Sequence, residues 1–293
     1  MELPRRSPFV IFLLELSYKL AIIASVVTEP LRSRIRNNVL RRTSVVSHTL
    51  DSTFNDPSPV LVLMVYRAKN VELVQAFLRE VKPDADVRLW ALDEVAPALA
   101  GKTVGCGPGT RFVNLNRLFN ARPIEEGSFV VVADDDALFI RGGLTKTISL
   151  MKRAGFALAQ PSQSILGWWT TLFNVARPLL VARDTNFVEI GPVFIVDPLF
   201  AKHILPFSED NDMGWGIEAE WYRAKEGRFR IGIIDDCRIV HWSRNATAYP
   251  AGPELEIMRE RLFKSSIESI WQLHSVNGYW WKWQRLPSWM KSD

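Results

Sequence analysis

Cysteine is almost missing from this chain: Cys106 and Cys237 are the two in 293 residues, and no Cys-x-x-Cys pair occurs. That excludes a disulfide framework, speaks against a structural zinc site, and fits a reducing compartment. Internal repeats and low-complexity tracts are also missing, so a collagen or a disordered chain is excluded. A basic domain surface is lacking as well. Residues 1–45 carry +5, from eight Lys/Arg and three acids, and the remainder sums to −1. The alkaline balance belongs to the N-terminal arm, and a nucleic-acid partner is not supported. What the chain does have is one large domain's worth of length and eleven tryptophans.

The arm opens with FVIFLLELSYKLAIIASVV, 9–27. Nineteen mostly apolar residues are long enough to span a bilayer. Glu15 and Lys19 sit near the middle, where a charge costs about 2.5–3.5 kcal/mol. At 100° per residue Phe9, Phe12, Leu13, Leu16, Leu20, Ile23 and Val27 form an apolar stripe. Glu15, Tyr18, Lys19, Ser25 and Glu29 gather opposite. Pro30 follows, then the basic run RSRIRNNVLRR. An apolar stripe followed by arginines predicts an interfacial helix on an anionic membrane surface, and a cytoplasmic, peripheral location. A helix packed on the domain's own core is the competing reading, and a span the third. The charged apolar region, with no small-residue cleavage site after it, disfavours a signal peptide. The Asn245-Ala246-Thr247 sequon is read as chance, because the arm reads cytosolic.

Beyond a polar linker at 46–59, strand and helix patterns alternate. VLVLMVY (60–66), DVRLWAL (86–92), SFVVVADDDALFI (128–140), FALAQPS, FVEIGPVFIVDP (187–198) and GRFRIGIIDDCRIVHW (227–242) read as strands. VELVQAFLREV (71–81), RFVNLNRLFN and GLTKTISLMKRAG read as helices, with GCGPGT (105–110) as a loop. The alternation predicts an α/β domain with a mostly parallel sheet, whose ligands bind beyond the carboxyl ends of the strands. Past Gly252-Pro253 the periodicity predicts a helix to about Gly278. A tail with YWWKWQRLPSWMK follows, and its Trp, Tyr and Lys/Arg mixture suits either a membrane interface or a packed lid. The organisation is an arm over 1–57, a catalytic domain over 58–250, and a C-terminal helix with a Trp-rich tail over 251–293.

Three carboxylates, Asp134, Asp135 and Asp136, follow the apolar run VVVA. Adjacent acids at a strand end repel, and a bound Mn²⁺ or Mg²⁺ is the simplest compensation. Strand alternation turns Asp134 and Asp136 one way and Asp135 the other. A solvated acidic turn is the bland alternative. The pattern resembles the GT-A glycosyltransferase superfamily, family 2-like and nucleotide-sugar dependent, over about residues 58–245. Four pieces carry the resemblance in order. They are GTRFVNLNRLFN (109–120), the DxD after its strand, MGWGIEAEW (213–221) and IVHW (239–242).

The resemblance implies a GT-A fold with helical extensions at both ends, and a hexosyl-type transfer from a nucleotide-sugar, a UDP-sugar first, to a hydroxyl on a glycan or lipid-linked acceptor. It implies a cation held by Asp134, Asp136 and His241, which stabilises charge on the departing diphosphate. It makes Glu218 the base of an inverting reaction. Galactosyltransferase-type sequences carry an acid pair where this chain reads Glu218-Ala219, so Glu220 and Asp212 stand as alternatives. Tyr66, Arg67, Asp93, Arg111, Asp134 and Asp135 fall where the donor is met. Tyr66 is a stacking candidate, Asp93 a ribose acceptor and Arg111 a phosphate contact. Trp168, Trp169, Glu189 and Trp215 fall on the acceptor side, where aromatic faces suit sugar rings or lipid. Each has a packing alternative; for Glu189 it is an Arg-paired core acid.

Three rivals differ in testable ways. A haloacid-dehalogenase-like phosphatase needs its nucleophile on the first strand. A nucleotidyltransferase needs its Gly-rich loop after the first strand, whereas GPGTR comes after the second. A membrane-bound sugar-binding protein needs no intact acid cluster. Strand 60–66 lying beside the DxD strand in one sheet favours the transferase over the phosphatase.

Overall fold

The computed structural model describes residues 7–43, 56–209, 214–243 and 251–290. Asp212, Met213 and the Asn245 sequon lie outside them. Among the described residues the strands form one ten-stranded mixed sheet. Its parallel block is built from β1 (Val60–Tyr66), β2 (Asp86–Ala91), β3 (Thr103–Cys106) and β4 (Phe129–Asp134) in the order β3-β2-β1-β4. β1 pairs in parallel with both β2 and β4, so the first strand and the DxD strand are direct neighbours. Placed between two partners and covered on both faces, β1 has to be apolar on alternate and intervening residues alike, as VLVLMVY is.

The sheet continues through β8 (Val193–Val196), β6 (Phe156–Gln163), β9 (Arg230–His241) and β7 (Leu180–Thr185) to β10 (Val276–Trp281), and β5 (Ala137–Arg141) pairs with β9. Period-2 alternation splits the core into two layers. Val62, Met64 and Tyr66 face one side with Val131 and Ala133. Helices α2 (Val71–Leu78) and α4 (Gly143–Ala154) cover that side through Phe77 and Met151. Leu61, Leu63, Val130 and Val132 face the other. There α3 (Arg111–Asn120), α5 (Pro198–Ile204) and α6 (Ile217–Lys225) pack with Phe112, Phe200 and Trp221. A parallel block covered by helices on both faces is the α/β arrangement expected from the strand–helix alternation.

Several elements differ from the sequence reading. The strand expected over 128–140 is two, because Asp135-Asp136 form a turn that takes the charges out of the ladder. The strand expected over 187–198 shrinks to β8. The C-terminal helix stops at Lys264 as α7 (Ala251–Lys264). A short α8 (Ile270–Leu273) follows, and then β10 closes one sheet edge by antiparallel pairing with β7. The tail is correspondingly packed. Trp280 is buried, Trp289 stacks on Phe156 at 5.6 Å and donates to the Ala154 carbonyl, and of the C-terminal tryptophans Trp283 is exposed. Pro30 falls inside the arm helix. α1 runs unbroken as Pro8–Thr43, held from outside by contacts to the domain.

A buried ion pair fixes the segment that borders the site. Arg183 on β7 and Asp235 on β9 are both fully buried and pair at 2.7 Å. Arg183 also donates to the Phe173 and Val175 carbonyls, and Asp235 accepts from the Arg177 backbone. Removing one member strands a buried charge. Asp235→Ala is expected to cost about 3–5 kcal/mol in urea unfolding. A change within ±0.5 kcal/mol would show that the pair does not hold 173–177 in place.

Candidate active site

The carboxyl ends of β1, β2 and β4 and the end of β9 converge on one acidic group. Asp134 ends β4, Asp136 sits in the turn after it, and His241 ends β9 opposite Ala137 of β5. His241 Nε2 lies 2.9 Å from Asp136 Oδ1 and 3.9 Å from Asp134 Oδ2. One ligand atom from each of the three lies within 4.8 Å of the others. Adjacent ligands of an octahedral Mn²⁺ or Mg²⁺ stand about 3 Å apart. Two carboxylates and an imidazole at this spacing fit such an ion. Asp135 turns away, and its Oδ2 accepts from the Arg67 backbone at 2.8 Å.

The three acids differ electrically. Asp134 is raised, first by burial, with Arg111 and His241 pulling against that. Asp135 is pushed up to about 6, again mainly by burial. Asp136 is buried too, but the His241 charge and hydrogen bonds from His241 and Ser243 outweigh burial and hold it low. His241 is lowered by burial and raised more by Asp136 and Asp134. Burial thus disfavours the anions of Asp134 and Asp135, while Asp136 and His241 favour each other's charged forms.

Arg111 meets an acid rather than open space. It is the first residue of α3, and its guanidinium pairs with Asp134 at 2.7 Å and donates to the Ile190 carbonyl at 2.5 Å. The Ile190 backbone N–H in turn bonds the Glu218 carboxylate. A Cβ on Gly191 would stand 2.9 Å from Asp134 Oδ2, so a side chain there would displace that carboxylate. Glu218, Ile190, Arg111 and Asp134 thus form one connected path.

Glu218 lies in the first turn of α6 and accepts from the Gly216 backbone at 3.0 Å. Burial, first, and the nearby Glu189 charge push its pKa to about 7, against the pull of the Gly216, Ile190 and Glu218 N–H groups. The Gly-Trp-Gly turn before it needs both glycines. Gly214 and Gly216 have φ of 81° and 88°, and a Cβ on Gly214 would meet the Phe112 ring at 2.0 Å. Arg261 of α7, buried, donates to the Gly214 and Trp215 carbonyls and pairs with Glu220 at 3.2 Å. Glu220 is therefore turned toward α7.

Glu189 stands on the loop between β7 and β8. Its carboxylate accepts from Gln163, Thr170 and Asn174, and its backbone N–H donates to Gln160. The arginine partner weighed for it is replaced by amides and a hydroxyl. Asp93 accepts from the Ala68 and Glu94 backbones just beyond β2, next to Arg67. Tyr66 is a correction: it is fully buried, its hydroxyl bonded to Thr103 and Ala96, so its ring presents no stacking face. Trp169 is buried and Trp215 packs against the α3–α5–α6 layer. Trp168 is half-buried beneath the Arg32 guanidinium at 5.2 Å, and its backbone N–H donates to the His241 carbonyl.

Sequence reasoning missed the anchors. Arg32 and Arg36 of α1 pair with Glu29 and donate to the Ile165, Leu166 and Gly167 carbonyls, one residue from Trp168. Arg36 also covers Trp242, whose backbone N–H donates to the Asp136 carbonyl. The Glu29/Arg32/Arg36 spacing along one helix face was the available signal.

No family model and no curated protein matches this chain. Solved structures do. The chain is similar to a crystal structure of GalNAc-T7 with UDP, GalNAc and Mn²⁺ at 9% identity and a TM-score of 0.48, over 70% of this chain and 48% of that one. It is similar to S. aureus TarS 1-349 in complex with UDP-GlcNAc at 12% identity and 0.48, over 72% of this chain and 66% of that one. A second TarS 1-349 structure matches at 12% and 0.44, over 70% and 72%. The chain thus spans about half the length of the first and just under two thirds of the second.

Proposed function

We propose that this protein is a metal-dependent glycosyltransferase that moves a sugar from a nucleoside-diphosphate donor, a UDP-sugar first among them, to a hydroxyl acceptor with inversion. The observation that carries this is the convergence of Asp134, Asp136 and His241 at the carboxyl end of a buried parallel strand beside β1. Asp134, Asp136 and His241 would hold a divalent cation, Mn²⁺ or Mg²⁺, and its charge would stabilise the diphosphate as the bond to the sugar breaks. Arg111, already at Asp134, would add a guanidinium against phosphate. Asp93 and the Arg67 backbone would position the nucleoside beyond β1 and β2. Glu218 would take the acceptor proton, and its pKa of about 7 suits a base at neutral pH. Trp168, Trp215 and Glu189 would border the acceptor, glycan or lipid-linked. Tyr66 and Trp169 would support these groups from within the core.

The test is a panel of nucleotide-sugars with and without Mn²⁺, read as nucleoside diphosphate released. Release from one donor, abolished by chelation, supports the reading. Phosphate release from phosphomonoesters, with no turnover of any nucleotide-sugar, would replace it with the phosphatase.

A further inference from the structure

The buried positions of helix α1, Ser25, Arg32 and Arg36, are polar, while most of its large apolar side chains are exposed, the reverse of a helix packed on a soluble domain. The side it turns to the fold carries Tyr18, Ser25, Glu29, Arg32 and Arg36, all buried or half-buried. The side it turns to solvent carries Phe9, Phe12, Leu16, Leu20, Ile23 and Val27, which are 41–74% exposed. A helix stabilised by a protein core does the opposite. Only 6% of its apolar window is buried.

We propose that this outward stripe is a membrane-docking surface. It lies in the headgroup and upper acyl layer of an anionic bilayer while the opposite side stays clamped to the domain. The run Phe9–Asn38 is long and apolar enough to cross a membrane by length and composition. Its inner side argues for lying flat instead. Tyr18 meets Trp271 edge-on at 5.4 Å, and Arg32 and Arg36 are buried against the 165–167 carbonyls. A span would withdraw all three.

Charge selects lipid over a second copy of the chain. Arg32 and Arg36 are engaged with Glu29, and the arm's sequence carries six further bases against two further acids. Arg5 and Arg6 precede the apolar stripe, and Arg34, Arg41 and Arg42 follow it. Pairing two stripes, parallel or antiparallel, sets bases against bases. Anionic headgroups meet both ends at once.

The test uses the full chain and vesicles of phosphatidylcholine, with and without phosphatidylserine. Co-sedimentation is expected with phosphatidylserine, weakened by salt and reversed by alkaline carbonate. Leu16→Glu and Ile23→Glu should each lower partitioning at least about tenfold. The melting temperature should hold, since both side chains project outward. No sedimentation with either vesicle, sedimentation indifferent to both substitutions, or retention after carbonate would overturn the proposal. So would a lipid-free dimer that the substitutions dissociate. No nucleotide enters this assay, so its failure is separate from failure of the glycosyl-transfer reading.

Discussion

Glu218→Gln is expected to lower kcat by about 10²–10⁴-fold while leaving Mn²⁺-dependent nucleotide binding near wild type. The carboxylate is the buried acid tied through the Ile190 backbone to the Arg111–Asp134 pair, and it is separate from the three groups proposed for the cation. Glutamine keeps the shape and an oxygen for the Gly216 N–H, but it cannot take a proton. Wild-type kcat should rise with pH through about 7 as Glu218 ionises, and the variant should lose that limb. Glu220→Gln should change kcat little, because that acid pairs with Arg261. If Glu220→Gln is the damaging change and Glu218→Gln is not, the base is assigned to the wrong residue.

The same substitution should raise stability. Glu218 binds its proton more tightly in the folded state, about 7 against 4.5 unfolded, mainly because burial disfavours the anion. Its contribution is present below the unfolded value and is lost as pH rises through 7. Above that the buried anion costs roughly 3 kcal/mol. Glu218→Gln should therefore stabilise the ligand-free protein by up to about that amount at pH 8 and by little at pH 4, read by urea unfolding. Loss of activity with gain of stability is what a residue kept for chemistry gives, and a merely structural acid would not.

The parallel block was legible in the sequence because β1 and β4 are apolar runs and β2, despite Asp86 and Arg88, keeps Val87, Leu89 and Ala91 in alternation. The acid triplet was legible because carboxylates directly after such a run have no packing purpose. β7 was not, since LVARDT holds an arginine and an aspartate that disqualify it locally. Arg183 is tolerated inside only because Asp235, far along the chain, meets it. β10 was absorbed into a helix because Leu255, Met258 and Leu262 set a period that Ile267, Ile270 and Trp271 continue. The turn after Lys264 and the open edge of β7 decide otherwise. Glu189 was placed in a strand for the same reason, as an acid within FVEIGPVF, yet the chain there is a loop held by amides from 160–174. The anchors Arg32, Arg36 and Arg261 bond backbone carbonyls far away in sequence, and such pairings leave no periodic trace.

Asp136→Asn is expected to weaken Mn²⁺-dependent UDP binding by more than about 100-fold, measured by calorimetric titration. Removing partners of a metal ligand alone typically costs 10–100-fold, so converting a ligand itself should cost more. Asparagine is preferred to alanine because Asp136 Oδ2 also accepts from the Ser243 backbone at 2.8 Å, and the amide oxygen keeps that bond. The loss then reflects the missing charge beside His241 rather than a collapsed turn. Asp135→Asn is the control. Its carboxylate faces the Arg67 backbone, an amide oxygen serves there equally well, and the titration should move by less than about tenfold. A UDP titration in Asp136→Asn that matches wild type, with Mn²⁺ present, would remove Asp136 from the cation site. The metal-dependent transferase reading would go with it, because the cation that would neutralise a departing diphosphate needs the Asp136 carboxylate among its ligands.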